Sequence, residues 1–257
     1  MADSLRVIIS GVTGRMGRRL IKVLADKPNI HVVAGITSAE NSLVGESISK
    51  RSNNEHDDAP ILSEFDGLEA DVVIDFSQTE GFNAVVDYCV MSETALVSGT
   101  TGLSQAQFDR ISQAGHFIPI LWAANFSLNI QIIKNLLQVF KQINNQADYS
   151  ITETHHQHKK DAPSGTAIAL AQSLTDSQQL KVVDNNQFTL GAIYIQSVRE
   201  AEVPGTHLIQ CDFPNERISI EHVAKSGDLF AEGAVSAALW IAQQDKGLYD
   251  LNAILLA

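Results

Sequence analysis

The chain has 257 residues, 44% of them apolar, enough for one large domain or two modest ones with a real core. Its formal net charge of −12 excludes the basic surface that a nucleic-acid binder needs, so any anion site must be built locally against the global field. No apolar stretch approaches the ~18–20 residues of a membrane span, no signal-peptide pattern opens the chain, and Cys89 and Cys211 stand far apart in no metal-ligand spacing. The expectation is a cytoplasmic protein with two buried thiols, no membrane contact and no nucleic-acid partner.

In chain order, Leu5 to Ser10 is a short β-branched run followed directly by glycine, and Arg15 to Ala25 carries Met16, Leu20, Val23 and Leu24 at helical spacing. Ile30 to Ile36, Val72 to Phe76, Ala95 to Ser98 and Phe117 to Leu121 are further apolar runs, with helical segments at about Thr79–Met91 and Ser104–Gly115. Near-continuous apolar strands separated by helices predict a parallel sheet covered on both faces. Segment 37–62 is polar, with Asn53, Asn54, Glu55, Asp57 and Asp58, and reads as a loop-rich insertion with no assigned chemistry.

Gly11-Val12-Thr13-Gly14-Arg15-Met16-Gly17 follows the first strand and opens the first helix. Glycines at this spacing permit a tight turn, backbone approach to a pyrophosphate and close helix–strand packing, and the helix start offers N–H groups to phosphate. The second strand ends at Gly35-Ile36-Thr37-Ser38, with no acid before Glu40. A carboxylate there would bond the ribose 2′-hydroxyl of NAD; its absence, with hydroxyls on Thr37 and Ser38, tilts the reading slightly towards NADPH, with NADH also plausible. Gly99-Thr100-Thr101-Gly102 and Ala123-Ala124-Asn125-Phe126-Ser127 follow later strand ends and belong at the same edge of the sheet.

After Phe126 the pattern changes. Leu128 to Ile143 reads as a long amphipathic helix, and Tyr149 to Thr154 as a strand that delivers the chain to His155. Phe188 to Val198, Gly205 to Cys211 and Arg217 to Val223 read as strands with fewer helices between them, which predicts a mixed, largely antiparallel sheet. Leu229 to Gln243 reads as a terminal helix whose alanine-rich face packs back on the first domain, and Leu251 to Leu256 closes the chain. The domains expected are 1–126, with 236–257 returning to it, and 127–235.

The densest chemistry is Glu153-Thr154-His155-His156-Gln157-His158-Lys159-Lys160-Asp161-Ala162-Pro163-Ser164-Gly165-Thr166-Ala167. Metal binding by the three histidines is disfavoured, because His155, His156 and His158 cannot share one face of a strand or helix, and no metal is expected. A solvated histidine-rich loop is the bland alternative. Acid–base chemistry on an anion accounts for more: histidine titrates near neutrality and lysine adds a donor and a charge. Pro163, Ser164, Gly165 and Thr166 then open a helix with exposed N–H groups beside two ammonium groups, a cradle for a small carboxylate-bearing substrate.

The GxxGRMGR start, Asp75-Phe76-Ser77, the SGTTG and AANFS loops and the E-x-HHxHKxDAPSGTA run together resemble the dihydrodipicolinate reductase family, now called 4-hydroxy-tetrahydrodipicolinate reductase. The resemblance spans residues 5 to about 240. It implies an α/β Rossmann-type cofactor domain joined to a mixed α+β domain for substrate binding and oligomerisation, assembled as a homotetramer. The implied reaction is hydride transfer from NADPH or NADH to C4 of a cyclic unsaturated dicarboxylate of the diaminopimelate and lysine pathway. By position the resemblance implies His155 as proton donor and acceptor, Lys159 as proton donor, His156 as a substrate contact, and Gly165 and Thr166 on a substrate carboxylate. It implies cofactor contacts at Gly11 to Met16, Gly99 to Thr101 and Ala123 to Phe126. Thr37-Ser38 depart from an acidic residue and arginine common in the family, and Gln78 from a basic one, which leaves cofactor preference open. The competing expectations are another two-domain NAD(P)-dependent dehydrogenase of a small acid and a non-catalytic dinucleotide sensor.

Overall fold

The computed structural model describes residues 4–50, 58–143, 147–200 and 204–256. Asn53 to Asp57 of the polar segment lie outside the described residues. The chain divides into two compact units, 1–126 with 228–257, and 127–227.

The first unit opens with β1 (Leu5–Ser10), α1 (Arg15–Ala25), β2 (Ile30–Ile36), a 3-10 turn at Ile48–Lys50 and β3 (Ile61–Leu62). It continues with β4 (Val72–Asp75), α2 (Thr79–Met91), β5 (Ala95–Ser98), α3 (Gln105–Ala114) and β6 (Pro119–Trp122). The strands run parallel in the order β3-β2-β1-β4-β5-β6, the doubly wound arrangement of a dinucleotide-binding sheet. Helices on both faces make the central strands apolar on both sides, and β4 and β5 are buried throughout. On one face α2 and α3 bury Phe82, Val85, Val86 and Ile111 against Ile8, Val73, Leu96 and Ile120. Ser104 and Gln107 form a reciprocal capping box that fixes where α3 begins.

The second unit contains α4 (Leu128–Ile143), β7 (Asp148–His155), α5 (Gly165–Gln172), β8 (Leu180–Asp184), β9 (Gln187–Leu190), β10 (Ile193–Arg199), β11 (Thr206–Asp212) and β12 (Arg217–Val223). Its sheet has the order β12-β11-β7-β10-β9-β8, with β7 and β10 parallel and the other neighbours antiparallel. Strand alternation puts Ile151, Ile195, Ile209 and Cys211 on one face, where they pack with Ile130 and Leu137 of α4 and Leu170 of α5. The run expected as one strand from Phe188 to Val198 is a hairpin. Gly191, at φ +59°, turns the chain between β9 and β10 in the left-handed conformation that glycine adopts without strain.

The chain then returns through α6 (Asp228–Ile241), β13 (Gly247–Tyr249) and α7 (Leu251–Leu255), with β13 adding a parallel seventh strand beside β6. The return falls at Asp228 rather than at 236, because the whole of α6 packs as one element on α1 and the sheet. Ala231, Gly233, Ala234, Ala237 and Ala238 are buried, and small side chains let the helix lie close. A Cβ on Gly233 would stand 1.8 Å from the carbonyl oxygen of Phe126. Asp228 fixes the helix start with ion pairs to Arg19 at 2.8 Å and Lys22 at 2.6 Å. Among the described residues no helix is long and apolar enough to cross a membrane.

Candidate active site

In the first unit the loops that follow β1, β2, β4, β5 and β6 lie at the carboxyl edge of one parallel sheet, where open α/β sheets bind their ligands. Gly11 adopts φ +78°, and a Cβ there would meet the carbonyl oxygen of Phe76 at 2.4 Å, so only glycine fits. Gly17 is equally constrained, with Gly11 and Val12 carbonyl oxygens 2.4 Å from a built Cβ. Gly14 is the N-cap of α1 and supplies no capping side chain, so the first helical N–H groups remain for a ligand. Arg15 is exposed and Met16 half-buried at that helix start. Val12 is fully buried with its side chain against Gly35, so only its backbone can meet a ligand.

Asp75 organises the neighbouring loops. Its buried carboxylate accepts hydrogen bonds from Ser98 Oγ at 2.8 Å, Thr100 Oγ1 at 2.7 Å and the Ser77 amide at 3.0 Å. Trp122 Nε1 donates to the Thr100 carbonyl at 3.0 Å, and the Ala123 amide donates to the Ser98 carbonyl at 3.1 Å. Phe76 contacts the loop after β6 through an edge-to-face pair with Phe126, centroids 5.4 Å apart. A Cβ on Gly99 would lie 2.2 Å from the Phe76 ring. Thr101, Ala124 and Asn125 complete these loops, Thr101 and Ala124 exposed and Asn125 half-buried.

A cavity of about 780 Å³ opens beside these loops, lined by Gly11, Thr13, Gly14, Thr37 and Ser38 among others. The Thr13 and Thr37 hydroxyls are 2.8 Å apart, and Asn41 Nδ2 donates to Thr13 Oγ1 at 3.3 Å. Glu64, Asp66, Glu80 and Asp87 also line it, and no lysine, arginine or histidine does among the described residues. The polar segment 37–62, to which no chemistry was assigned beyond Thr37 and Ser38, therefore supplies Asn41 and leads through β3 to the wall at Ser63–Asp66. The two-residue strand was too short to show in the hydrophobic pattern.

In the second unit, β7 carries Glu153 and His155 on the buried face of the sheet two residues apart. Glu153 Oε1 accepts from Ser197 Oγ at 2.6 Å and from the Ser164 amide at 2.9 Å, and Arg199 lies 3.5 Å away. Burial alone would raise the Glu153 pKa, but these hydrogen bonds and the nearby His155 hold it below the usual range, so it is a carboxylate. Its other oxygen faces His155 Nδ1 at 3.4 Å. Burial pushes the His155 pKa down; Glu153 opposes this, while Lys159 and Arg199 reinforce it.

The loop after β7 turns with the Lys159 amide donating to the His156 carbonyl at 3.1 Å, and the His156 and His158 rings lie 6.2 Å apart. Lys159 Nζ donates to both Asp161 oxygens at 2.8 Å. Arg199 donates to the Asp161 carbonyl at 2.5 Å and ties this loop to β10. The Ala162–Pro163 peptide is cis. Ser164 then caps α5, its hydroxyl accepting from the Ala167 amide at 3.1 Å. Gly165 and Thr166 form the first turn of α5. A Cβ on Gly165 would meet nothing within 4 Å, so that turn is open.

Each unit thus collects its own expected residues: the dinucleotide loops in the first, and His155, His156, Lys159, Gly165 and Thr166 in the second. Ser197, Arg199, His207 and His222 were not singled out from the sequence, and Asp75 was noted only within the Asp75-Phe76-Ser77 motif. The rings of His155 and His207 stand edge to face at 5.3 Å, and those of His207 and His222 are tilted at 5.9 Å. His207 lies on β11, and only strand pairing brings it beside His155.

The comparisons agree with this geometry. The family model described as dihydrodipicolinate reductase, N-terminus, matches residues 5–126, and the one described as dihydrodipicolinate reductase, C-terminus, matches 127–255. A 4-hydroxy-tetrahydrodipicolinate reductase from Pseudoalteromonas atlantica is 33% identical, covering 97% of this chain and 98% of its own. A dipicolinate-bound dihydrodipicolinate reductase from Paenisporosarcina sp. TG-14 superposes with a TM-score of 0.78 at 20% identity, covering 96% of this chain and 97% of that one. A myo-inositol dehydrogenase from Corynebacterium glutamicum shares the fold at 10% identity and a TM-score of 0.61, covering 95% of this chain and 90% of that one.

Proposed function

The chain belongs to the dihydrodipicolinate reductase family, and on that premise we propose that it reduces 4-hydroxy-tetrahydrodipicolinate to tetrahydrodipicolinate in the diaminopimelate and lysine pathway. The pyridine nucleotide supplies the hydride when bound. Gly11 to Met16 take its pyrophosphate on the open start of α1, with Gly99 to Thr101 and Ala123 to Phe126 beside them. The glycines that no Cβ could replace are the observation that supports this fit.

The second unit supplies the proton and the anion site. The observation that carries the reading is one segment presenting His155, the Lys159 ammonium and the open first turn of α5 together. Gly165 and Thr166 receive a substrate carboxylate at that turn, with His156 as a further contact. Hydride arrival at the electron-poor ring leaves negative charge that an acid must quench, and His155 is suited to this, with Lys159 as the second donor. Burial and the surrounding cations keep His155 largely neutral in the free enzyme, and a dicarboxylate bound nearby offsets those cations and raises its proton affinity.

For the cofactor, the lining of the cavity argues against the 2′-phosphate of NADPH. Thr37 already shares its hydroxyl with Thr13, and Glu64, Asp66 and Glu80 give the wall a negative field, while Asp87 is paired with Arg110. The electrostatics favour NADH, or equal use of both, over the lean to NADPH drawn from Thr37 and Ser38 alone. Assembly as a homotetramer is supported by the sheet face opposite Ile151 and Ile209, where Thr152, Tyr194, Val198 and Leu208 are half-exposed; light scattering on the purified protein tests it.

The test of function is a coupled assay in which an upstream synthase makes the unstable substrate from pyruvate and aspartate semialdehyde. Synthase-dependent loss of absorbance from NADH and NADPH establishes the reaction and gives the two kcat/KM values. No oxidation of either cofactor, with an active synthase, would overturn the assignment.

A further inference from the structure

We propose that Glu153 is a positioning residue whose two carboxylate oxygens hold the two halves of the substrate site, one taking the start of α5 and the other the Nδ1–H of His155. The inference rests on the reading of His155 as the proton-transferring group.

Three observations carry it. Glu153 is fully buried, and a carboxylate is kept from water only where partners hold it. Oε1 is well supplied, by the Ser164 amide at 2.9 Å and Ser197 Oγ at 2.6 Å. Oε2 has no hydrogen-bond partner, nor has Nδ1 of His155, yet the two stand 3.4 Å apart and face each other. A few tenths of an ångström closes this gap to a charge-assisted hydrogen bond, and such bonds in unliganded sites are often long.

A purely structural role explains only Oε1. Anchoring the Ser164 amide and the Ser197 hydroxyl needs an acceptor oxygen, which glutamine would provide without the cost of burying a charge. The charge, and the aim of Oε2, are explained by His155. An acceptor at Nδ1 places the ring's resident proton there and leaves Nε2 to exchange protons with substrate. The Nε2 side is kept open by Gly205, where a Cβ would stand 3.1 Å from that atom.

The other groups facing His155 cannot substitute for Glu153. They are Arg199 from β10, Lys159 and Asp161 from the following loop, and His207 from β11, with His222 on β12 beyond it. Arg199 and Lys159 disfavour the imidazolium, and His207 is neutral at working pH. Asp161 is occupied with Lys159. Through Glu153 the same carboxylate also ties His155 to Ser164, so the proton donor and the carboxylate cradle are fixed relative to each other.

The test is ¹⁵N NMR of the full-length protein labelled in histidine, with His155→Ala assigning the resonances, beside steady-state kinetics. In the wild type the neutral His155 ring is expected to carry its proton on Nδ1. In Glu153→Gln the amide oxygen still serves Ser164 and Ser197 while the NH₂ faces Nδ1, which forces the proton to Nε2. The His155 titration then moves to lower pH, and kcat falls roughly 10–10²-fold with KM within a few-fold. An Nε2-protonated wild-type ring overturns the inference even if the variant fails to fold. So does a folded variant with unchanged His155 resonances and kcat. A fully active His155→Ala enzyme sinks the proton-donor reading instead, and the two failures are told apart by which variant retains activity.

Discussion

His207 makes the stability of this protein pH-dependent in a way that one substitution removes. Its side chain lies on β11 with 4% of its surface exposed, and neither ring nitrogen has a hydrogen-bond partner. Burial is the main cause of its low pKa, repulsion from His155 and His222 adds to it and Glu153 opposes it; the result is about 4, against an ordinary 6.5. Because the folded value is the lower one, the unfolded chain binds the proton more readily between these values. The contribution is therefore complete above pH 6.5 and lost as pH falls towards 4. The difference is worth about 3 kcal/mol over the whole window and about 2 kcal/mol between pH 7 and pH 5. His207→Phe replaces an unsatisfied ring with an apolar one of similar shape, which is near neutral at pH 7. Urea unfolding of both proteins at pH 7 and pH 5, at one protein concentration, gives the four free energies. The wild type is expected to lose about 2 kcal/mol more than the variant on acidification. Equal losses would mean that His207 is solvated or partnered in solution, and that its burial between His155 and His222 is not as described.

The remaining predictions concern the loops and packing of the first unit and the Lys159 loop of the second. Asp75→Ala leaves the Ser98 and Thr100 hydroxyls and the Ser77 amide without their acceptor, so it should cost at least about 2 kcal/mol in unfolding and weaken dinucleotide binding measured by fluorescence titration. Gly233→Ala drives a Cβ into the Phe126 carbonyl; α6 must shift, with a loss of roughly 1–3 kcal/mol or more read from the same unfolding curves. Lys159→Ala should lower kcat in the coupled assay by roughly 10²–10⁴-fold. It should also raise KM, because Asp161 is left unpaired beside the carboxylate cradle, and unchanged kinetics would remove Lys159 from the mechanism.

Much of the first unit was legible because its signals are local. A glycine must follow β1 where φ is +78° and the Phe76 carbonyl is close, and β4 and β5 must be apolar along their whole length because both faces are covered. β3 and β13, with two and three residues, are held by pairing with β2 and β6 rather than by any periodicity of their own, and β8 is exposed throughout, so none of the three could be read. The hairpin of β9 and β10 was missed for a related reason. Both arms are apolar, and only Gly191, read there as part of a strand, marks the turn.

The site shows the same division between what is local and what is assembled. His155, Lys159 and the Ser164 cap lie within ten residues of continuous chain, and their chemistry can be argued from order alone. What would make His155 a controlled acid, on the proposed reading, is not local. Ser197 and Arg199 come from a parallel neighbour and His207 from an antiparallel one, and they reach Glu153 and His155 only through the registers of β10 and β11 on β7. Thr37 and Ser38 show how far a local signal reaches. Their hydroxyls suggested room for a phosphate, but β3 brings the acidic stretch after it to the same cavity, where Glu64 and Asp66 join Glu80 and Asp87 from α2. A bound ribose would meet Glu64, Asp66 and Glu80, with Asp87 held by Arg110, as well as the two hydroxyls, so on the proposed reading cofactor choice depends on sheet topology as much as on the residues at the end of β2.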